Sequence, residues 1–223
     1  MKNTSLIIVC ALVAAAAVVG CAGRPGAAST SAADPDLVAA QMVKAAFRSE
    51  GIATVERVTN IDETLRLCNA ADVAGKQLDA ATAKRIEEAN LKTVKWPSDG
   101  KYLGDWKQGE QIAQSGRGLT WTDTAGAVNG GNCYNCHQID KKEISYGTIG
   151  PSLYNYGKIR GVKDPASADA KGVVEFTWGK IWNSKAYNAC SNMPRAGHSG
   201  ILSEAQVRHV VGLLLDPKSP VNE

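Results

Sequence analysis

The sequence predicts a mainly α-helical protein, and three observations carry this prediction. Several segments space their apolar residues as helices do, and they begin at residues that favour helix N-termini, as at Asp34, Asp105 and Ser203. Runs typical of strands are scarce, and the chain of 223 residues has no internal repeat. Pro and Gly residues break the helical pattern between segments. We therefore expect a set of helices joined by loops.

The N-terminus is typical of an export signal. Lys2 precedes an apolar run from Leu6 to Gly20, and the run is short and rich in alanine for a membrane span. The letters VVGC, which end at Cys21, resemble the lipobox of bacterial lipoproteins. We predict a signal peptide at 1–20, lipidation of Cys21 and a flexible tether at 21–33. An ordinary cleaved signal and an uncleaved anchor are the alternatives. All three predict export to the periplasm, with a membrane tether if Cys21 carries lipid.

Residues 34–99 are predicted to form an N-terminal helical extension. Asp34 and Pro35 favour a helix start, and Gly51 is the expected end of that first helix. Two further helices are expected at 62–72 and 79–94. Pro97 and Gly100 then interrupt the pattern and mark a domain boundary.

Residues 100–223 are predicted to form a second, functional domain. Its first helix lies within 104–118, with Asp105 as the cap and Ile112 among its apolar positions. A second helix is expected at 173–188. The last helix spans 202–215, capped by Ser203 and ended by the Asp-Pro pair that follows it.

The motif C-x-x-C-H at 133–137 indicates the chemistry of this domain. Two thiols three residues apart on one helical turn can add to the two vinyl groups of a haem, and His137 then becomes the proximal iron ligand. We predict one haem c, bound covalently by Cys133 and Cys136. A zinc site would need further ligands from Cys68 and Cys190, and a thioredoxin-like redox pair would follow a strand.

The second iron ligand is predicted to be Met193. This residue lies in the polar segment CSNMPRAGH, where core packing gives little reason for a methionine. A thioether favours ferrous iron and closes the sixth position, as suits electron transfer. The alternatives are His198, His209 and Cys190, and an open site would suit oxygen or peroxide chemistry.

The remaining cysteines are predicted to form a disulfide. Cys10 leaves with the signal, Cys21 takes lipid, and the C-x-x-C pair takes haem. Cys68 and Cys190 are left as an even pair in an oxidising compartment. Two separate buried thiols are the alternative.

The order of motifs resembles a class I cytochrome c over residues 100–217. The sequence GPSL, at 150–153, follows the C-x-x-C-H motif, and a methionine loop and a C-terminal helix come after it. In that family the carbonyl of the proline, here Pro151, receives the ring N–H of the proximal histidine. The resemblance implies a class I cytochrome c domain preceded by the helical extension.

The segments GDWKQGEQIAQSGRG, VNGGNCYNCHQ, GTIGPSLYNYGK, YNACSNMPRAGH and LLLDPKSPVN also resemble the SoxX family. These proteins are the monohaem subunits of the SoxAX complexes of thiosulfate-oxidising bacteria. The resemblance implies an electron-transfer subunit of an L-cysteine S-thiosulfotransferase complex, which is not catalytic alone. The catalytic haem belongs to a SoxA-type subunit with one or two haems, and thiosulfate is joined to a cysteine of the carrier SoxYZ. A small cytochrome would accept the electrons.

Three other functions share some of these features. They are a freestanding electron carrier for an oxidase or dehydrogenase, a haem enzyme or gas sensor with a labile iron site, and a lipoprotein with a structural haem. The net charge of +3, without long runs of Lys or Arg, argues against nucleic acid as a partner.

For electron exchange, we expect four side chains to surround a docking surface beside the haem: Tyr134, Lys141, Lys142 and Arg195.

Overall fold

The computed structural model describes residues 34–223, so the signal peptide, Cys21 and the tether at 21–33 lie outside the described residues. Within this range the protein is mainly helical, as predicted, and its one β-type pairing is an isolated bridge between Glu50 and Ala53. The α-helices are α1 (Pro35–Ala46), α2 (Glu56–Thr59), α3 (Glu63–Val73), α4 (Ala80–Leu91), α5 (Trp106–Gln114), α6 (Tyr156–Ile159), α7 (Lys171–Trp182) and α8 (Glu204–Leu215). Short 3-10 turns lie at Cys133–Asn135, Ala168–Ala170, Ser184–Ala186 and Pro220–Asn222.

The chain divides into two compact units, Met1–Phe47 and Arg48–Glu223. The described helix of the first unit is α1, which ends at Ala46 rather than at the predicted Gly51. The second unit includes α3 and α4 of the predicted extension together with all later helices. Across residues 34–223, no helix combines the length and apolarity needed to cross a membrane.

Helix starts follow the capping chemistry of the sequence. At four helices, the N-cap side chain accepts a backbone N–H of the first turn, which would otherwise lack a partner. These caps are Asp62, Asp79, Asp105 and Ser203. The predicted caps at Asp105 and Ser203 are therefore confirmed.

Helices α5 and α8 cross at close range because glycines line the crossing. A Cβ on Gly109 would lie 2.2 Å from the backbone oxygen of His209, and one on Gly212 would lie 2.3 Å from the oxygen of Gly104. The ring Nδ1 of His209 also accepts the backbone N–H of Asp105 at 3.0 Å. This crossing fixes the start of the domain against its last helix.

Helix α7 supplies the aromatic centre of the core. Trp178 is fully buried, and its ring stacks on Trp182 with centroids 5.8 Å apart. The indole N–H of Trp178 donates to the backbone oxygen of Lys95 at 2.9 Å. This hydrogen bond attaches the segment after α4, where the sequence predicts a domain boundary, to the core.

Candidate functional site

The C-x-x-C-H motif forms a single helical turn. The backbone N–H groups of Cys136 and His137 both donate to the oxygen of Cys133, at 3.1 and 2.9 Å. Asn132, just before the turn, adopts a left-handed conformation with φ 50°, which asparagine tolerates better than most residues. One turn therefore carries both thiols and the imidazole.

The imidazole of His137 is held by the GPSL segment. Its Nδ1 lies 2.7 Å from the backbone oxygen of Pro151. Because a carbonyl can only accept, Nδ1 is the donor and Nε2 keeps a free lone pair, as a metal-binding histidine requires. Gly150 lies against the ring, and a Cβ there would be 2.2 Å from Cε1 of His137. The N–H of Gly150 also donates to the oxygen of Cys136 at 2.8 Å, which joins the two motifs.

The Cys133 thiol of the motif is poorly suited to redox exchange. Cys133 and Cys136 carry free thiols, and burial raises the pKa of the Cys133 thiol to about 12. Thiol–disulfide enzymes instead use cysteines with lowered pKa values, because the thiolate is the nucleophile. The raised pKa of Cys133 argues against the thioredoxin-like alternative.

A zinc site is also disfavoured. Cys68 and Cys190, the further ligands that such a site would use, are joined by a disulfide with an S–S distance of 2.08 Å. Within residues 34–223, no group of three or more His, Cys, Asp or Glu side chains is placed to hold a metal ion. The bridge is the pairing expected from the cysteine count.

Met193 is half-buried and packs against the same hydrophobic core as Cys133. Its backbone is fixed on both sides, because Ser184 donates its hydroxyl to the Met193 oxygen and the Met193 N–H donates to the hydroxyl of Ser191 at 3.2 Å. Two of the alternative ligands are engaged elsewhere: Cys190 is in the disulfide, and His209 is bonded to the start of α5.

The four side chains predicted to surround a docking surface differ in how far they are exposed to solvent. Tyr134 is buried, with 6% of its surface exposed, and Arg195 forms an ion pair that leaves 14% of its side chain exposed. Tyr134 is therefore buried rather than exposed at a docking surface, whereas the docking role of the half-buried Arg195 stays a prediction. Lys141 and Lys142 are exposed, although the Nζ of Lys142 lies 3.3 Å from a carboxylate oxygen of Glu223.

Glu110 lies beside the motif, and its role was not predicted from the sequence. The hydroxyl of Tyr134 donates to Oε1 of Glu110 at 2.8 Å and accepts the N–H of Asp140 at 3.1 Å. The other carboxyl oxygen of Glu110, Oε2, is buried without a partner among the described residues. Burial raises the pKa of Glu110 above its ordinary value of 4.5. Glu110 lies between Gly109 and Ile112, which are both buried. A charged residue in such a position is the sequence signal from which its role could have been predicted.

The residues present fit a covalently bound haem c. The turn offers two thiols and a correctly oriented imidazole, and Met193 offers a thioether on the same core. Trp182 adds an indole N–H that is buried without a partner among the described residues. A buried donor without an acceptor is costly, and a haem propionate is one acceptor that would satisfy it.

The chain is similar to a protein of Aquifex aeolicus (strain VF5) named "Uncharacterized lipoprotein". The two sequences are 34% identical over 164 residues, which cover 73% of each chain. The chain belongs to the same family as this lipoprotein. No protein-family model matches the chain.

Proposed function

We propose that this protein is an electron-transfer subunit that carries one haem c, in a complex of the SoxAX type. The observation that carries the proposal is the contact of the His137 ring with Pro151 and Gly150, directly beside the two free thiols. A redox dithiol has no use for an imidazole fixed in this way, and the disulfide between Cys68 and Cys190 removes the further thiolate ligands that a zinc site would use. A haem c, when bound, supplies a one-electron couple between ferric and ferrous iron.

Each residue of the site has one role in this proposal. Cys133 and Cys136 would hold the haem through thioether bonds to its two vinyl groups. His137 would bind the iron through Nε2 while Pro151 accepts the Nδ1 proton, which fixes the ring and raises its basicity. Met193 would supply the second protein ligand, a soft neutral donor that favours ferrous iron.

The domain is proposed to be a class I cytochrome c. The close crossing of α5 and α8 and the order of the Cys133 turn, the Pro151 segment and the Met193 loop support this proposal. Helices α3 and α4 are an addition to that domain and belong to the same compact unit.

The protein is proposed to act in the periplasm as a lipoprotein anchored through Cys21. The name of the Aquifex aeolicus relative and the letters VVGC at 18–21 support this anchor. In the complex, a SoxA-type subunit would couple thiosulfate to a cysteine of the carrier SoxYZ and release two electrons. The present chain would receive those electrons and deliver them to a small cytochrome.

A reconstituted reaction tests this function. The holoprotein, a SoxA-type subunit, the thiol carrier and thiosulfate are mixed, and the reduced haem band of this chain is followed. We expect reduction only when every component is present. Equally fast reduction without the SoxA-type subunit, or no reduction with everything present, would favour a freestanding electron carrier instead.

A further inference from the structure

The segment that bears Met193 is attached at several points to the two helices before the cytochrome-like domain. We use "methionine segment" for residues 183–198 and "brace" for residues 62–95. Four groups of contacts join them: the disulfide Cys68–Cys190, the hydrogen bond from Ala189 N to Glu87, the ion pair of Arg195 with Asp62, and the hydrogen bonds of Asn183 with Asn90 and Thr93.

These contacts lie on both sides of Met193. Ala189 and Cys190 precede it, and Arg195 follows it by two residues. At the start of the segment, Asn183 is completely buried, and its side-chain amide donates to Asn90 at 3.0 Å and to Thr93 at 2.9 Å. The neighbouring Ser184 donates to the backbone oxygen of Met193. The brace therefore restricts the backbone that positions the thioether.

We propose that the brace sets how strongly Met193 binds the haem iron against competing ligands. This inference rests on the proposed function, because it takes Met193 as the axial ligand. A thioether is a weak neutral ligand, and its loss from iron requires movement of the segment that carries it. Contacts that hold the segment therefore favour the methionine-bound state, and their removal favours an external ligand.

Asp62 offers a clean perturbation of the brace. Its Oδ1 accepts the N–H of Leu65 and caps α3, while Oδ2 pairs with Arg195. Asp62→Asn keeps the cap, because Asn and Asp are equivalent N-caps, and it removes the charge that faces Arg195. Asp79→Asn is the matched control, since Asp79 caps α4 through the N–H of Thr82.

Glu87 offers a second, independent perturbation. Its Oε1 accepts the backbone N–H of Ala189 at 3.1 Å, so Glu87→Ala releases the methionine segment just before the disulfide. Glu87→Gln keeps an acceptor oxygen and should restore the contact. Glu88→Ala is the control, since Glu88 forms its ion pair with Lys84 on the same helix.

The experiment titrates the oxidised holoproteins with imidazole and follows the weak sulfur-to-iron absorption band. We expect Asp62→Asn and Glu87→Ala each to lower the imidazole dissociation constant about twofold to fivefold, as loss of one partly exposed polar contact would. The controls and Glu87→Gln should stay close to wild type. Hydrogen exchange of the Met193 and His198 amides should rise in the same two variants.

The outcomes separate this inference from the proposed function. If the wild type shows the band and Met193→Ala removes it, but both brace variants bind imidazole as the wild type does, the brace proposal is overturned. An equal change in the two control variants overturns it too, because the effect is then general destabilisation. A wild type without haem, or with a band that survives Met193→Ala, refutes the proposed ligand set itself.

Discussion

Removal of the Cys68–Cys190 disulfide should destabilise the protein strongly, because the bridge closes a long loop. The two cysteines are 122 residues apart in sequence. The chain-entropy relation gives a loss of about 16 cal/mol/K for a closed loop of that size, or about 5 kcal/mol at room temperature. Native disulfides commonly contribute about 2–5 kcal/mol, so the calculated value is an upper bound.

The substitution Cys68→Ser with Cys190→Ser tests this value. Cys190 is exposed and Cys68 is half-buried, so little packing is lost. The melting temperature of the double variant should fall by roughly 5–20 °C, given about 2–4 °C per kcal/mol for a unit of this size. Reductant should lower the melting temperature of the wild type by a similar amount and leave the variant unchanged.

Alkylation under non-reducing conditions, followed by intact-mass measurement, provides the direct check of the bridge. The wild type should gain no label at positions 68 and 190. Labelling of both thiols, together with equal melting temperatures of variant and wild type, would refute the loop-closure argument.

Substitutions at four further positions have outcomes that follow from the structure. Gly150→Ala places a methyl group 2.2 Å from the His137 ring and should lower the free energy of unfolding by about 1–3 kcal/mol, measured by chemical denaturation. Gly172→Ala is the control, because a Cβ there meets nothing within 4 Å, and it should raise the free energy of unfolding by about 0.5–1 kcal/mol. Burial raises the pKa of Glu110 in the folded protein above 4.5, its ordinary value. The neutral carboxyl therefore contributes stability at low pH, and this contribution is lost as the pH rises from 4.5 through the pKa of the folded state. Glu110→Gln should therefore gain stability relative to wild type as pH rises, in denaturant titrations at acidic and neutral pH. Asn132, at φ 50°, should tolerate glycine, while Asn132→Val should lower the unfolding free energy by about 1–2 kcal/mol.

The sequence predicts those features that local chemistry determines. The caps at Asp105 and Ser203 are formed by residues within three positions of their partners, so the helix starts could be located from the sequence. The first helix ends at Ala46 rather than at the predicted Gly51, and residues 50–53 form a separate turn with a backbone bridge between Glu50 and Ala53. Gly51 does lie in a turn, but the helix ends five residues before it.

Contacts between distant parts of the chain could not be read from the sequence. The ion pair of Arg195 with Asp62 spans 133 residues, so Arg195 alone resembled an exposed basic side chain. The hydroxyl of Tyr134 reaches Glu110 across 24 residues, and that contact turns a predicted surface tyrosine into a buried one. The first pairing depends on how the start of α3 lies against the methionine segment, and the second on how α5 lies against the turn at 133–137. No local pattern specifies either arrangement.

The candidate site was more predictable than its surroundings. The turn at 133–137 is defined by its own spacing, and the bond between His137 and Pro151 was expected from the resemblance to class I cytochromes c. The contact of Gly150 with the ring and the buried N–H of Trp182 were not expected, because they depend on the three-dimensional packing of the loops.

The most direct test of this account is the pyridine haemochrome spectrum of the protein exported to a bacterial periplasm, combined with its intact mass. We predict one c-type haem with both vinyl groups saturated, retained through acid–acetone extraction, and weakened attachment in Cys133→Ala or Cys136→Ala. Bound zinc without haem in the exported protein, or a haem that extraction removes from the wild type, would contradict the account.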